Sequence, residues 1–190
     1  MNVRDLARAR RSVRRFRAGL VPEDAIRRII DAGRLAPSGA NRQPWRFVVV
    51  DDPKTKRAIR VACEQGEREF HARAPRALAE WMATRGITPD KPFLEEAPYL
   101  ICVFYDAHQP YPVHSTWIAV GFMLLQIVEE GLGTVTYTPT GADLNRILKV
   151  PPKFKLAAIL PIGHSADEPA SPPRRPIKEI GFRNRFGDPF

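Results

Sequence analysis

The residues best equipped for chemistry lie in two short segments near the start of the chain: Arg10-Arg11-Ser12-Val13-Arg14, and Ala36-Pro37-Ser38-Gly39-Ala40-Asn41-Arg42-Gln43-Pro44-Trp45. A guanidinium is a planar fork of donors that stays charged at any ordinary pH and meets phosphate oxygens two at a time. Three arginines and a serine hydroxyl within five residues therefore offer a dianionic phosphate several charge-assisted bonds. The seven arginines from Arg4 to Arg17 would also serve as a solvated cationic face, the commoner use of a charge run. The second segment favours a ligand. Pro-Ser-Gly-Ala-Asn breaks the chain after a helical pattern, and its small or polar residues let backbone groups approach a flat heteroaromatic ring closely. As an ordinary turn it would need no ligand.

The elements that must position these segments follow from periodicity. Val3, Leu6 and Ala7 suggest a short helix that delivers the arginines. Pro22-Glu23-Asp24 places proline and acids in a first turn, and Ile26, Ile29, Ile30 and Gly33 follow at one-sided helical spacing up to the loop. Arg46-Phe47-Val48-Val49-Val50 is a strand by its β-branched run. Asp52-Pro53 opens a helix carrying Ile59, Ala62 and Cys63 on one face. Residues 65–95 are punctuated by Gly66, Pro75, Gly86, Pro89 and Pro92 and carry Phe70, Trp81, Met82 and Phe93, so this segment is expected to be a lid. Tyr99 to Tyr105 reads as a strand buried on both faces. His114 to Gly131 is a helix apolar nearly all round, which one small domain rarely covers, so a dimer is expected. Further strands are expected at 133–138 and 156–162, with a short helix at 142–149. From Ala166 the chain is a proline-rich, basic arm suited to wrapping a partner.

Strands alternating with helices exclude an all-β fold or a bundle. At 190 residues with 44% hydrophobic content, the chain suits one domain with a sizeable core. Its net charge of +9 and pI near 10.1 permit acidic ligands. No zinc-finger spacing, RNP-type segment or long basic tract points to nucleic acid. Cys63 and Cys102 stand far apart in apolar surroundings, which implies no disulfide framework and a reducing, cytoplasmic setting. No secretory signal is visible, and the longest uncharged stretch, Ser115 to Val128, is shorter than a membrane span. His108 and His114 fit no metal spacing, Ser38 lacks a hydrolase context, and His71 and His164 stand alone. Gly131-Leu132-Gly133 lacks the third glycine of a dinucleotide fingerprint.

The order and spacing of these motifs resemble the nitroreductase family of flavoproteins, with its R-R-S-x-R start and P-S-G-x-N-x-Q-P-W-type loop. Gly133-Thr134-Val135-Thr136-Tyr137-Thr138-Pro139 is similar to the family's strand end over the flavin, and Pro173-Arg174-Arg175-Pro176-Ile177 to its late phosphate-binding segment. The resemblance implies an α+β fold, a mixed central sheet flanked by helices, in a single domain over residues 1–190. It also implies terminal arms exchanged in a homodimer, with a lid at 65–95 and a C-terminal arm at 166–190. It implies FMN as cofactor and NAD(P)H as transient electron donor, the isoalloxazine carrying the chemistry. Carried over, Arg10, Arg11, Ser12, Arg14 and Arg174 hold the phosphate and ribityl chain. Pro37, Ser38 and Gly39 lie against the ring from the second subunit, with Ala40 facing substrate. Thr136, Tyr137 and Thr138 complete the pocket, and the catalytic hydroxyl of Thr138 sits near flavin N5, where it favours one-electron chemistry.

Lys91-Pro92-Phe93-Leu94-Glu95-Glu96-Ala97-Pro98 looks like the iodotyrosine deiodinase branch, whose lid presents Glu, Tyr and Lys to a halotyrosine. Lys91 matches the lysine. Counting back from it puts Phe70 at the tyrosine and Gly66 at the glutamate, with Glu67 and Glu69 nearby. Phenylalanine cannot donate a hydrogen bond. The expected activity is therefore ping-pong reduction of a nitroaromatic, quinone or similar acceptor, with Ala40, Phe70 and Lys91 on the substrate side. Reductive dehalogenation of a halotyrosine is the alternative. A non-enzymatic basic binding protein is the second alternative. No metal, nucleic acid or membrane partner is expected.

Overall fold

The constraint that organises the chain is β2 (Tyr99–Asp106), whose residues Leu100 to Phe104 are all fully buried. A strand alternates its side chains between two faces, so an unbroken apolar run demands cover on both. Leu100, Cys102 and Phe104 point into one core with Ile59, Cys63 and Leu94. Ile101 and Val103 point into a second with Ile26, Ile29, Val120, Met123 and Ile127. The computed structural model describes residues 1–190.

The helices that provide this cover are set by local signals. After α1 (Val3–Ala9), capped by the Asn2 side chain, α2 (Glu23–Arg34) begins after Pro22 with two acids in its first turn. Strand β1 (Trp45–Val50) leads into α3 (Pro53–Arg73), where Asp52 accepts from the Thr55 backbone N–H at 2.8 Å and Pro53 sits in the first turn. These are strong helix-start features. Then come α4 (Arg76–Ala83) and α5 (Phe93–Glu96) before β2, and α6 (Pro112–Glu129) after it. The chain closes with α7 (Leu144–Ile147), β3 (Phe154–Ile162) and α8 (Ile177–Ile180). No helix is long and apolar enough to cross a membrane.

The regular sheet has the order β1-β2-β3, antiparallel throughout, with Trp45 opposite Tyr105, Tyr99 opposite Ile162 and a register shift at Val103/Phe104. Its mixed character resides in a single parallel bridge between Ser12 and Thr134. The strand expected over 133–138 is reduced to isolated bridges, Gly133 to Gly163 and Tyr137 to Ile159. The segment touches β3 at intervals and leaves the intervening Thr136 and Thr138 free of the ladder. The helix expected over 142–149 is confined to α7.

The punctuation at Gly66 does not end α3, which runs through to Arg73. The glycine serves close approach instead: a Cβ there would lie 1.8 Å from the Thr140 carbonyl oxygen. The first third of the expected lid is thus rigid helix. The irregular stretch is 84–92. Two faces remain open. On α6, Trp117, Ile118 and Phe122 are each about two-fifths exposed. On the C-terminal arm, Ile177, Ile180, Phe186 and Phe190 are all largely exposed.

Gly66→Ala is expected to lower unfolding stability by at least about 1–3 kcal/mol, the usual cost of overpacking, because the obstacle is backbone. Urea denaturation checks it, and a midpoint equal to wild type would contradict the close approach.

Candidate active site

Pairing of the N-terminal segment brings the arginines to the end of the core. The Val13 N–H donates to the Thr134 carbonyl at 2.9 Å, Arg17 N–H to His164 O at 3.1 Å, and Ala166 N–H to Arg15 O at 2.9 Å. Val13 packs tightly on Gly133, where a Cβ would meet it at 2.8 Å. The arginine segment, the 133–138 segment and the start of the C-terminal arm thereby converge.

Arg10, Arg11, Ser12 and Arg14 line a recess of about 280 Å³ closed by Pro169, Ala170 and Pro172 of the arm. None of these arginines, nor Arg174, has a carboxylate partner. Arg10 reaches the Ser12 hydroxyl at 3.5 Å, and Arg11 and Arg14 donate only to nearby backbone carbonyls. Burial, then the positive charges of Arg174 and Arg11, hold the Arg10 guanidinium below its ordinary pKa. Like charges gathered without a counter-charge are costly, and a phosphate monoester is the anion this donor set fits.

Arg14 also belongs to a neighbouring cleft of about 790 Å³, which Lys91, Phe93, Thr136 and Tyr137 line as well. Behind this lining, Glu67 forms a buried ion pair with Lys91, Nζ to Oε2 at 3.3 Å, with side chains only 9% and 11% exposed. The Tyr137 hydroxyl donates to Glu67 Oε1 at 3.0 Å, and the Lys91 ammonium lies 5.9 Å from the centre of the Tyr137 ring and donates to the Thr88 carbonyl. Burial, then the nearby Cys63 and Glu67, raise the pKa of the Tyr137 phenol far above its ordinary range. It remains a donor at any working pH.

One turn earlier on α3, Glu64 accepts from Arg60 Nε at 2.7 Å and from the Lys91 backbone N–H at 2.8 Å. Burial raises the Glu64 pKa, but the Arg60 and Lys91 hydrogen bonds, then the charges of Arg60 and Arg68, outweigh it and leave the carboxyl below its usual range. Beside them the Cys63 thiol is pushed up to about 12, mainly by burial.

The residues read from sequence separate into three groups. The arginines and Ser12 meet at the recess, with the charge of Arg174 felt there. Lys91, Thr136 and Tyr137 meet at the cleft, which Thr138, Phe70 and Ala40 do not line. Pro37, Ser38, Gly39 and Ala40 lie in a separate loop that borders neither cavity. There the Ser38 hydroxyl accepts from Gln43 N–H at 2.9 Å, and Ala40, Asn41 and Gln43 hold left-handed φ values of 49°, 54° and 45°. Non-glycine residues adopt that region at a cost, often where a loop is shaped for function. Glu67, which counting placed only near the glutamate position, is the acidic residue that pairs with Lys91. Its helical phase is the signal: Arg60, Glu64 and Glu67 share one face of α3.

Glu67→Gln would leave the Lys91 ammonium buried without its counter-charge. It is expected to cost about 3 kcal/mol or more of stability, with Glu67→Gln/Lys91→Met recovering a large part, as read by chemical denaturation. Cys63 and Cys102, both free, buried and raised to about 12, are expected to resist a disulfide reagent at pH 8 in the native protein and to react at once in denaturant.

Comparisons with known proteins place the chain in a family. The family model described as Nitroreductase family matches residues 7–164. An iodotyrosine deiodinase of Thermotoga neapolitana is 40% identical over 174 residues, covering 91% of this chain and 94% of the relative. One from Haliscomenobacter hydrossis is 38% identical, covering 83% and 77%. The crystal structure of an oxidised iodotyrosine deiodinase bound to FMN and 3-iodo-L-tyrosine superposes with a TM-score of 0.86 at 40% identity, covering 92% and 95%. A nitroreductase of Desulfovibrio desulfuricans in complex with FMN gives 0.71 at 29% identity, covering 97% of each chain. These relatives overturn the expectation of a general reducer of nitroaromatics or quinones: curated relatives at 36–40% identity over most of this chain are iodotyrosine deiodinases. With five-sixths of its length matched by the family model and its fold shared with these enzymes, the chain belongs to the nitroreductase family of oxidoreductases.

Proposed function

We propose that this protein is an FMN-dependent reductive dehalogenase of halotyrosine-like substrates. The observation that carries the reading is the buried Glu67–Lys91 ion pair, whose lysine lines the cleft. Two opposite charges about 3 Å apart match the ammonium and carboxylate of an amino-acid zwitterion, and a neutral acceptor has no use for them. Likeness to a deiodinase bound to FMN and 3-iodo-L-tyrosine supports it.

FMN, when bound, supplies the electron pair for the overall change Ar–X + 2e⁻ + H⁺ → Ar–H + X⁻, in which the carbon–halogen bond breaks and a carbon–hydrogen bond forms. The chain's own residues bind and orient. Arg10, Arg11, Ser12, Arg14 and Arg174 hold the phosphate, whose negative charge offsets the burial and the like charges of Arg174 and Arg11 that lower the Arg10 pKa. Lys91 takes the substrate carboxylate and Glu67 its ammonium, exchanging partners with one another. Tyr137 keeps Glu67 aimed at the cleft, and Phe93, edge-on to Tyr137 at 5.5 Å, fixes that ring and excludes water. Thr136, which lines the cleft, and the exposed Thr138 would complete the flavin pocket with their hydroxyls.

The reading includes a homodimer. The open face of α6 and the apolar C-terminal arm supply the contact, and the Pro37-Ser38-Gly39-Ala40 loop reaches the site from the second copy, since it borders neither cavity of its own protomer. NAD(P)H is the proposed electron donor, drawn by the net positive charge, and two unpaired buried thiols suit a reducing cytoplasm.

Arg10→Ala and Arg174→Ala are each expected to cost about 1.5–3 kcal/mol of FMN affinity, roughly a tenfold to hundredfold weaker Kd, with the far-UV spectrum unchanged. Flavin fluorescence titration reads it. Quenching of the bound flavin by 3-iodo-L-tyrosine, weakened by Lys91→Met, tests the substrate reading. Absence of quenching in wild type would sink it.

A further inference from the structure

Beside the arginine recess lies a second, larger cavity that neither the phosphate nor the substrate assignment uses. It holds about 550 Å³, within the range of small-molecule sites. Arg10, Arg11 and Pro169 line both the recess and this cavity. A ligand whose phosphate sits among the arginines therefore has room next door for whatever that phosphate is joined to.

The lining of the larger cavity is of two kinds. Val13, Val128 and Leu132 give it an apolar part, against which a flat base can lie. Asp167 and Glu168, at the start of the C-terminal arm, give it two carboxylates. Neither forms an ion pair, although two arginines share the cavity with them. Asp167 accepts from the Ser165 hydroxyl at 3.0 Å, and Glu168 is exposed. A cavity for a simple anion would do better without these carboxylates. They suit neutral donors instead: a carboxylate accepts from vicinal hydroxyls, and an acidic side chain on a ribose is how dinucleotide-binding folds hold an adenosine.

We propose that this cavity is a nucleoside subsite, so that the protein accepts flavin adenine dinucleotide as well as FMN. Arg10 and Arg11 take the pyrophosphate, Asp167 and Glu168 the ribose hydroxyls, and Val128 and Leu132 the adenine. The inference rests on the phosphate assignment above and extends it past the recess. The flavin half of the dinucleotide keeps the place FMN has, and the adenosine half binds away from the substrate cleft. No bond is made or broken. The carboxylates then act as a filter on the cofactor, since FMN ends at its phosphate and never meets them.

The test is calorimetric titration of the full chain, freed of flavin, with FMN and with flavin adenine dinucleotide, in wild type, Asp167→Ala, Glu168→Ala and the double variant. Both flavins are expected to bind wild type. The double variant should bind the dinucleotide about tenfold or more weakly, the scale of lost hydrogen bonds to charged groups, with FMN affinity unchanged. Wild type that binds FMN and not the dinucleotide, dinucleotide affinity indifferent to both carboxylates, or equal losses for the two flavins would overturn the subsite and leave the phosphate assignment standing. Adenosine monophosphate is titrated into FMN-loaded protein as a further arm. Saturable binding there would give the cavity to a free nucleotide and overturn the dinucleotide. Failure of wild type to bind either flavin would overturn both the subsite and the phosphate assignment.

Discussion

Burial of β2 on both faces is the constraint from which the rest of the molecule follows. Leu100, Cys102 and Phe104 require α3 and α5 on one side, while Ile101 and Val103 require α2 and α6 on the other. Each of those helices then delivers a functional segment to an end of the sheet. α3 carries Glu64 and Glu67 into contact with Lys91, in the segment before α5. The arginine segment docks on Thr134 through Val13 and lies next to the cleft. Chemistry is placed by packing that has no chemical role of its own.

Two charge arrangements of opposite kind share the resulting site. At the recess, arginines are assembled without a paired carboxylate, an arrangement that an anionic ligand relieves. Beside the cleft, Glu67 and Lys91 are already neutralised by each other, and on the proposed reading they exchange partners with a zwitterion at little net electrostatic cost. Removal of either charge is expensive because both are buried. Arg14 borders both cavities and so links the phosphate end to the substrate end.

How much of this was legible in sequence depended on whether the signal was local. The arginine cluster is contiguous, so its meeting at one recess could be read directly, and the unbroken apolar run of β2 announced a strand with two covered faces. Glu67 was passed over because counting back from Lys91 crosses 84–92, where the rise per residue is irregular and a fixed offset has no physical meaning. The phase of α3 is the reliable measure, and it places Glu67, not Gly66, on the face that meets Lys91. Gly66 was read as an interruption when its role is close approach to the 140 carbonyl. The 133–138 segment was read as a strand from its β-branched residues, but tertiary contact allows it only single bridges.

The most direct test of the central claim is a single turnover under anaerobic conditions. The FMN-loaded protein is reduced, mixed with one equivalent of 3-iodo-L-tyrosine, and assayed for iodide, tyrosine and the flavin absorbance. The account predicts iodide and tyrosine in equal amounts, one of each per flavin reoxidised. A flavin that stays reduced beside intact iodotyrosine would contradict it.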